Sequence, residues 1–183
     1  MAKARSGPGR FPFVTWRVPW WLVSLLALAG CARPAVEAPP TKEEIWSAIL
    51  PQAQRYRIDP AFIYALVAAE SDFDPRASRG EARGLLQLKP AAWAAVSAEP
   101  YEPSVWAWRS NLEAGIDFLA FNRSALQRRS DVEFSYPLLL ASFHYGLDYV
   151  EARGFEVGRL ECPDNAVYRE LWAGRLTPVR PPL

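Results

Sequence analysis

The chain has 183 residues, half of them hydrophobic, which gives room for one domain with a real core plus appendages and excludes a mainly disordered protein. Its net charge is +1, from 21 basic and 20 acidic residues. Lys3, Arg5, Arg10 and Arg17 fall in the first 30 residues, which hold no acid; the remaining 17 basic against 20 acidic residues leave about −3, with no basic excess to bind nucleic acid.

That basic leader runs into VPWWLVSLLALAG, residues 18–30, and then Cys31. A charged start, an apolar run of about a dozen residues and small residues before a break describe a secretory signal. The run is short for spanning a bilayer and contains Pro19. Leu28-Ala29-Gly30-Cys31 resembles the lipobox of bacterial lipoproteins. The resemblance implies cleavage before Cys31, lipidation of its thiol and acylation of the new amino terminus, and several acyl chains anchor a protein firmly. Ala32 in place of Asp implies sorting to the outer membrane, so the expected location is periplasmic and lipid-anchored. Only one other cysteine exists, Cys162, so no disulfide framework or zinc site is expected and Cys162 reads as a small buried or loop thiol without chemistry.

Ala32–Lys42 is rich in Pro and Ala and reads as a tether. The folded domain is expected to begin near Thr41, an N-cap with Glu43 and Glu44 in the first turn and Ile45, Trp46, Ile49 and Leu50 on an apolar face. Asp59 and Pro60 open a second helix, Pro60–Glu70. Its Ile63, Leu66 and Val67 form a core-facing stripe whose next position is Glu70. Ser71–Arg83 reads as a polar loop, Gly84–Leu88 as the start of an apolar stretch, and Ala91–Ser97 as a short Ala-rich segment around Trp93. Asn111–Leu126 has near-helical spacing with Asn111 as a cap. Phe134–Val150 reads as one helix with Pro137 near its start, and Ala166–Trp172 as a last helix after a Gly-containing connection. No run alternates convincingly enough for a sheet. The expectation is a mainly α, single-domain protein. The tryptophans at 46, 93, 106, 108 and 172 are assigned to packing, not to a site.

A carboxylate at the stripe position of Glu70 is expected to be partly desolvated and near the negative end of its helix, both of which disfavour its charged form. A carboxylic acid that keeps its proton is what cleavage of a glycosidic bond needs as general acid. From Glu70 the chain reads ESDFDPRASRGEARGLLQLKP; Asn111-Leu112-Glu113-Ala114-Gly115, Ala141-Ser142-Phe143-His144-Tyr145-Gly146 and Asp164–Tyr168 follow in order. Together these resemble the lytic transglycosylase domain of the soluble-lytic-transglycosylase type, in the lysozyme-like superfamily.

The resemblance implies a lysozyme-like helical domain over residues 43–175, after a signal at 1–30 and a lipidated tether at 31–42, and before a Pro-rich tail at 176–183. It implies cleavage of the MurNAc-β-1,4-GlcNAc bond of peptidoglycan glycan strands to 1,6-anhydroMurNAc ends, with no cofactor and no metal. Glu70 is then the general acid and afterwards the base. Ser78 and Gln87 contact substrate or shape the cleft, Phe143 and His144 lie in it, and the Tyr168 hydroxyl points at the catalytic carboxylate, so Ser78, Gln87, Phe143, His144 and Tyr168 are the expected substrate-site residues. Three departures stand out. One residue is missing between Ala77 and Ser78, Glu81 replaces Gly or a small polar residue, and Phe143-His144 replaces Tyr-Asn. Two alternatives are a hydrolytic muramidase using Asp72 or Asp74 to activate water, and a wall-binding lipoprotein without turnover. Asp72 and Asp74 read better as solvated turn residues.

Overall fold

Thr41 starts the domain with a reciprocal cap: its hydroxyl accepts from the Glu44 N–H at 3.1 Å, and the Glu44 carboxylate accepts from the Thr41 N–H at 2.8 Å. The structure, a computed structural model, describes residues 38–129 and 133–182, so the leader, Cys31 and most of the tether lie outside the described residues. The elements run α1 Lys42–Tyr56, α2 Pro60–Ser71, β1 Ser78–Arg79, β2 Ala82–Arg83, α3 Pro90–Ala94, α4 Tyr101–Ser104, α5 Trp108–Arg129, α6 Tyr136–Tyr145, α7 Leu147–Glu151 and α8 Ala166–Trp172. A 3-10 turn at Val157–Arg159 precedes α8. The fold is mainly α, as the sequence implies.

Helix α2 is the centre. Asp59 Oδ1 accepts from the Ala61 N–H at 2.7 Å to begin it, and every residue from Ala61 to Ser71 except Ala68 is buried. It packs on α1 and α8, while α5 packs on α1, α3 and α6, and α6 on α7 and α8. The stripe read from the sequence is thus part of a helix enclosed all round. Phe62, Ile63, Leu66 and Val67 sit in one core with Leu112, Ile116 and Leu119 of α5 and Leu138–Ala141 of α6. A smaller cluster gathers Leu88, Trp93, Val105 and Ala114.

The structure corrects the sequence reading in four places. The loop after α2 carries an antiparallel ribbon, β1 on β2, with Ser78 opposite Arg83 and Arg79 opposite Ala82. Strands of two residues are too short to show alternation. A further short helix, α4, lies between α3 and α5. The segment read as one helix from Phe134 to Val150 breaks at Gly146, whose φ of 96° and ψ of 158° separate α6 from α7. Ser135 caps α6 and Pro137 lies in its first turn.

Asn111 is the fourth correction. α5 begins at Trp108, so Asn111 lies inside it as a fully buried side chain. Its amide oxygen accepts from the Leu86 N–H at 2.9 Å, and its amide nitrogen donates to the carbonyls of Arg83 and Val105 at 2.9 and 3.1 Å. A Cβ on Gly84, at φ 76°, would stand 2.5 Å from Asn111 Cγ, and one on Gly115 would stand 2.7 Å from Leu86 Cβ. Gly84 therefore meets a packing demand as well as a backbone one. These four residues lock the loop after β2 to α5.

Replacing Asn111 by Ala leaves a buried N–H and two carbonyls without their partner and is expected to cost about 3 kcal/mol of stability. Denaturant unfolding measures it; a loss below about 1 kcal/mol would mean that water replaces the amide.

Candidate active site

Glu70 is the penultimate residue of α2 and is 5% exposed. A carboxylate in that position needs hydrogen-bond partners, and α8 brings one. The Tyr168 hydroxyl donates to Glu70 Oε1. Tyr168 is itself 2% exposed, and burial, then the charge of Glu70 and the hydrogen bond to it, hold its pKa well above the ordinary tyrosine value. The phenol therefore keeps its proton and acts as a donor. Helix α8 is placed by its own cap: Asn165 Oδ1 accepts from the Val167 and Tyr168 N–H groups, while its amide nitrogen reaches the Ala69 carbonyl at 3.4 Å. One residue thus starts α8 and ties it to the last turn of α2.

His144 Nδ1 lies 3.6 Å from the same Oε1, with 37% of its side chain exposed. Its ring stands edge-on to Tyr145 and Tyr168, with centroids 4.6 and 5.4 Å away. No described residue makes a hydrogen bond to Oε2. One carboxylate oxygen is held and the other is left available.

Glu70 opens into a cleft of about 310 Å³. β1, β2 and the loop after them contribute Arg79, Ala82, Gln87 and Lys89; α5 and α6 contribute Phe118, Phe143 and His144. Among the described residues Glu70 is the sole acid lining it. Asp72 and Asp74 are both exposed and outside the lining. Asp72 caps α2 in the left-handed conformation, and Asp74 Oδ1 accepts from the Arg76 N–H at 2.8 Å. Both are turn residues.

The expected site residues divide. Glu70, Gln87, Phe143 and His144 line the cleft. Gln87, held at φ 45°, spends its amide N–H groups on the Ala77 and Gly84 carbonyls at 3.0 and 2.8 Å, which fastens the loop. Tyr168 is too deeply buried to touch substrate and sits behind the acid, correcting its place among the substrate-contacting residues. Ser78 is exposed on β1 and does not line the cleft; its neighbour Arg79 does. The reason is the ribbon's register. Arg79 and Ala82 are paired and both line the cleft, so alternation turns the Ser78–Arg83 pair the other way.

Sequence reasoning missed Arg79, Lys89 and Phe118. The last had a signal: Asn111, Gly115 and Phe118 share a helical face at i, i+4 and i+7. The departures in the loop are accommodated. Gly80, at φ 58°, takes the first position of the two-residue turn, so Glu81 needs no left-handed backbone, and its carbonyl accepts from the Tyr101 hydroxyl at 2.8 Å. Cys162 is a half-buried loop thiol whose pKa burial pushes up.

The family model described as the transglycosylase SLT domain matches residues 47–153, more than half of the chain. The chain belongs to that family, and its helical domain is lysozyme-like. At the level of the family, membership supports a transglycosylase activity on peptidoglycan. The matched stretch contains Glu70, the ribbon, Asn111 and His144 and ends before α8. No curated protein matches the chain significantly.

Replacing Tyr168 by Phe removes a hydrogen bond that favours the charged carboxylate and fixes its rotamer. The rate is expected to fall about tenfold, within the range of acid–base contributions. An unchanged rate would reduce Tyr168 to a packing residue.

Proposed function

We propose that the protein is a peptidoglycan lytic transglycosylase that cleaves the MurNAc-β-1,4-GlcNAc bond without water, with Glu70 as acid and then base. The observation that carries this reading is the solitary carboxylate. Glycosidases that hydrolyse by two carboxyl groups need a second one across the bond, about 5–10 Å away. The described residues of the cleft offer none, and Asp72 and Asp74 are occupied as turn residues outside it.

One acid suffices if the substrate supplies its own nucleophile. Protonated Glu70 gives its proton to the departing O4 oxygen as the C1–O4 bond breaks, leaving positive charge at C1 that the neighbouring acetamido group stabilises. The carboxylate then takes the proton from the 6-hydroxyl, and O6 closes onto C1. Protons balance, no water is consumed, and the acid is restored. Because Tyr168 holds Oε1, the free Oε2 is the oxygen for both transfers. Phe118 and Phe143 offer apolar ring faces against which a sugar can pack.

Glu70→Gln is expected to abolish turnover, by at least about 10²-fold, while leaving the fold and glycan binding largely intact. Mass spectrometry of digested peptidoglycan reads both parts of the proposal: anhydro ends from wild type are expected. Reducing ends would establish a hydrolase, and more than about a tenth of normal activity in the variant would remove Glu70 from its role.

The place of action is a second part of this reading. The lipobox at Leu28–Cys31 supports a lipid anchor, with the Pro- and Ala-rich segment giving the domain reach toward the wall. Among the described residues no helix is long and apolar enough to cross a membrane. Cys31→Ser is expected to move the protein from the membrane fraction to the soluble periplasm or to leave an uncleaved precursor, as fractionation and N-terminal mass would show. A processed variant that stays on the membrane would refute lipidation at Cys31.

A further inference from the structure

Two cations in the cleft have no role in the mechanism above. Arg79, at the end of β1, and Lys89, at the N-cap of α3, both line it, beside the single acid Glu70. The ion pairs among the described residues are made by Arg129, Arg159, Arg169, Arg175 and His144, so neither Arg79 nor Lys89 has an acidic partner there. Neighbouring arginines are engaged otherwise. Arg83 donates to the Gly80 and Ala82 carbonyls at 2.5 and 2.9 Å, and Arg83 and Arg76 lie 5.7 and 6.0 Å from the Trp106 ring. The chain beyond its leader is slightly acidic, yet the described residues that line its cleft include two cations, Arg79 and Lys89, against the one acid Glu70. A concave site lined by one sign of charge concentrates ligands of the opposite sign.

We infer that Arg79 and Lys89 form a carboxylate-binding wall that makes the cleft selective for glycan strands whose muramic acids present carboxylates. The inference rests on the peptidoglycan reading above. The apolar faces of Phe118 and Phe143 and the two cations belong to the same cleft, so one ligand must present both a sugar ring and a carboxylate to use them. Peptidoglycan does so at each muramic acid, through the carboxylates of the attached peptide. The guanidinium of Arg79 suits bidentate capture of a carboxylate, whereas Lys89 acts as a point charge. The ribbon's register delivers Arg79 to the cleft where Ser78 was expected, so the shortened loop exchanges a neutral contact for a cation.

The test is binding, which needs no turnover. The full chain in detergent, the double variant Arg79→Gln/Lys89→Gln and the charge-preserving Arg79→Lys are sedimented with purified sacculi. A parallel set uses sacculi whose carboxylates have been converted to amides. Amidation is expected to weaken wild-type binding about fivefold at low salt, the size of two solvent-exposed charge pairs, and added salt should erase the difference. The double variant should bind intact sacculi about fivefold more weakly than wild type and amidated sacculi equally well, with Arg79→Lys between the two. Binding of wild type that ignores amidation, or a loss in the double variant that is equal on both wall preparations, would overturn the inference. Anhydro products from wild type alongside such a result would sink the carboxylate wall alone. Their absence alongside the expected binding would sink the catalytic reading alone.

Discussion

The hydrogen bond from Tyr168 to Glu70 is the interaction on which the rest of the site depends. A carboxylate enclosed in a core helix is costly in either protonation state unless its oxygens are satisfied, and an unpaired buried polar group costs about 1–3 kcal/mol, more when charged. One donor on a separate helix meets that demand for Oε1. Helix α8 has seven residues and little helical persistence alone, so it depends on packing against α2 and α6 and on the Asn165 cap. The element that satisfies the acid is itself held by the helix that carries the acid.

The second constraint is the lock between the loop after β2 and α5. Asn111 reads three backbone groups at once, and the two glycines let the backbones approach closely enough for it to do so. Gln87 then fastens the same loop from within, at a left-handed backbone angle that a non-glycine residue adopts only when its surroundings hold it there. Together they set the position of Arg79, Gln87 and Lys89 against Phe118, Phe143 and His144. The ribbon closes with one residue fewer because Gly80 supplies the turn.

Much of this was legible in the sequence wherever local chemistry decides the structure. Thr41 with Glu44, Asp59 with Pro60, and the last helix after Asn165 carry their own start signals: α1 begins beside Thr41, and α2 and α8 fall within a residue of their expected bounds. Glu70 stood out because an ionisable residue interrupted an apolar stripe. Tertiary contacts hid the rest. Asn111 has the composition of a cap and is used as a buried clamp, a choice made by Leu86 and Val105 far away in sequence. Gly146 breaks an apolar run that periodicity alone continues through. Ser78 and Arg79 differ by one position, and in a strand one position decides which side of the ribbon a side chain faces.

The asymmetry of the Glu70 carboxylate also bears on why one acid can serve twice. In the proposed reaction the same group releases a proton and, moments later, recovers one from a different oxygen of the same sugar. A freely rotating carboxylate would present either oxygen at either moment, and a second fixed donor on Oε2 would compete with the substrate. Holding Oε1 alone eases both problems: that oxygen is restrained by Tyr168, and in the proposed reaction Oε2 is the common end point of both transfers. Tyr168 fits this task because burial keeps its phenol protonated throughout, so it donates steadily to Oε1 and exchanges no proton with the reaction. His144, at 3.6 Å from that same oxygen and partly open to solvent, adds a polar neighbour. In the proposed reaction a single carboxylate serves twice in a site that treats its two oxygens differently, and the donor that distinguishes them comes from α8.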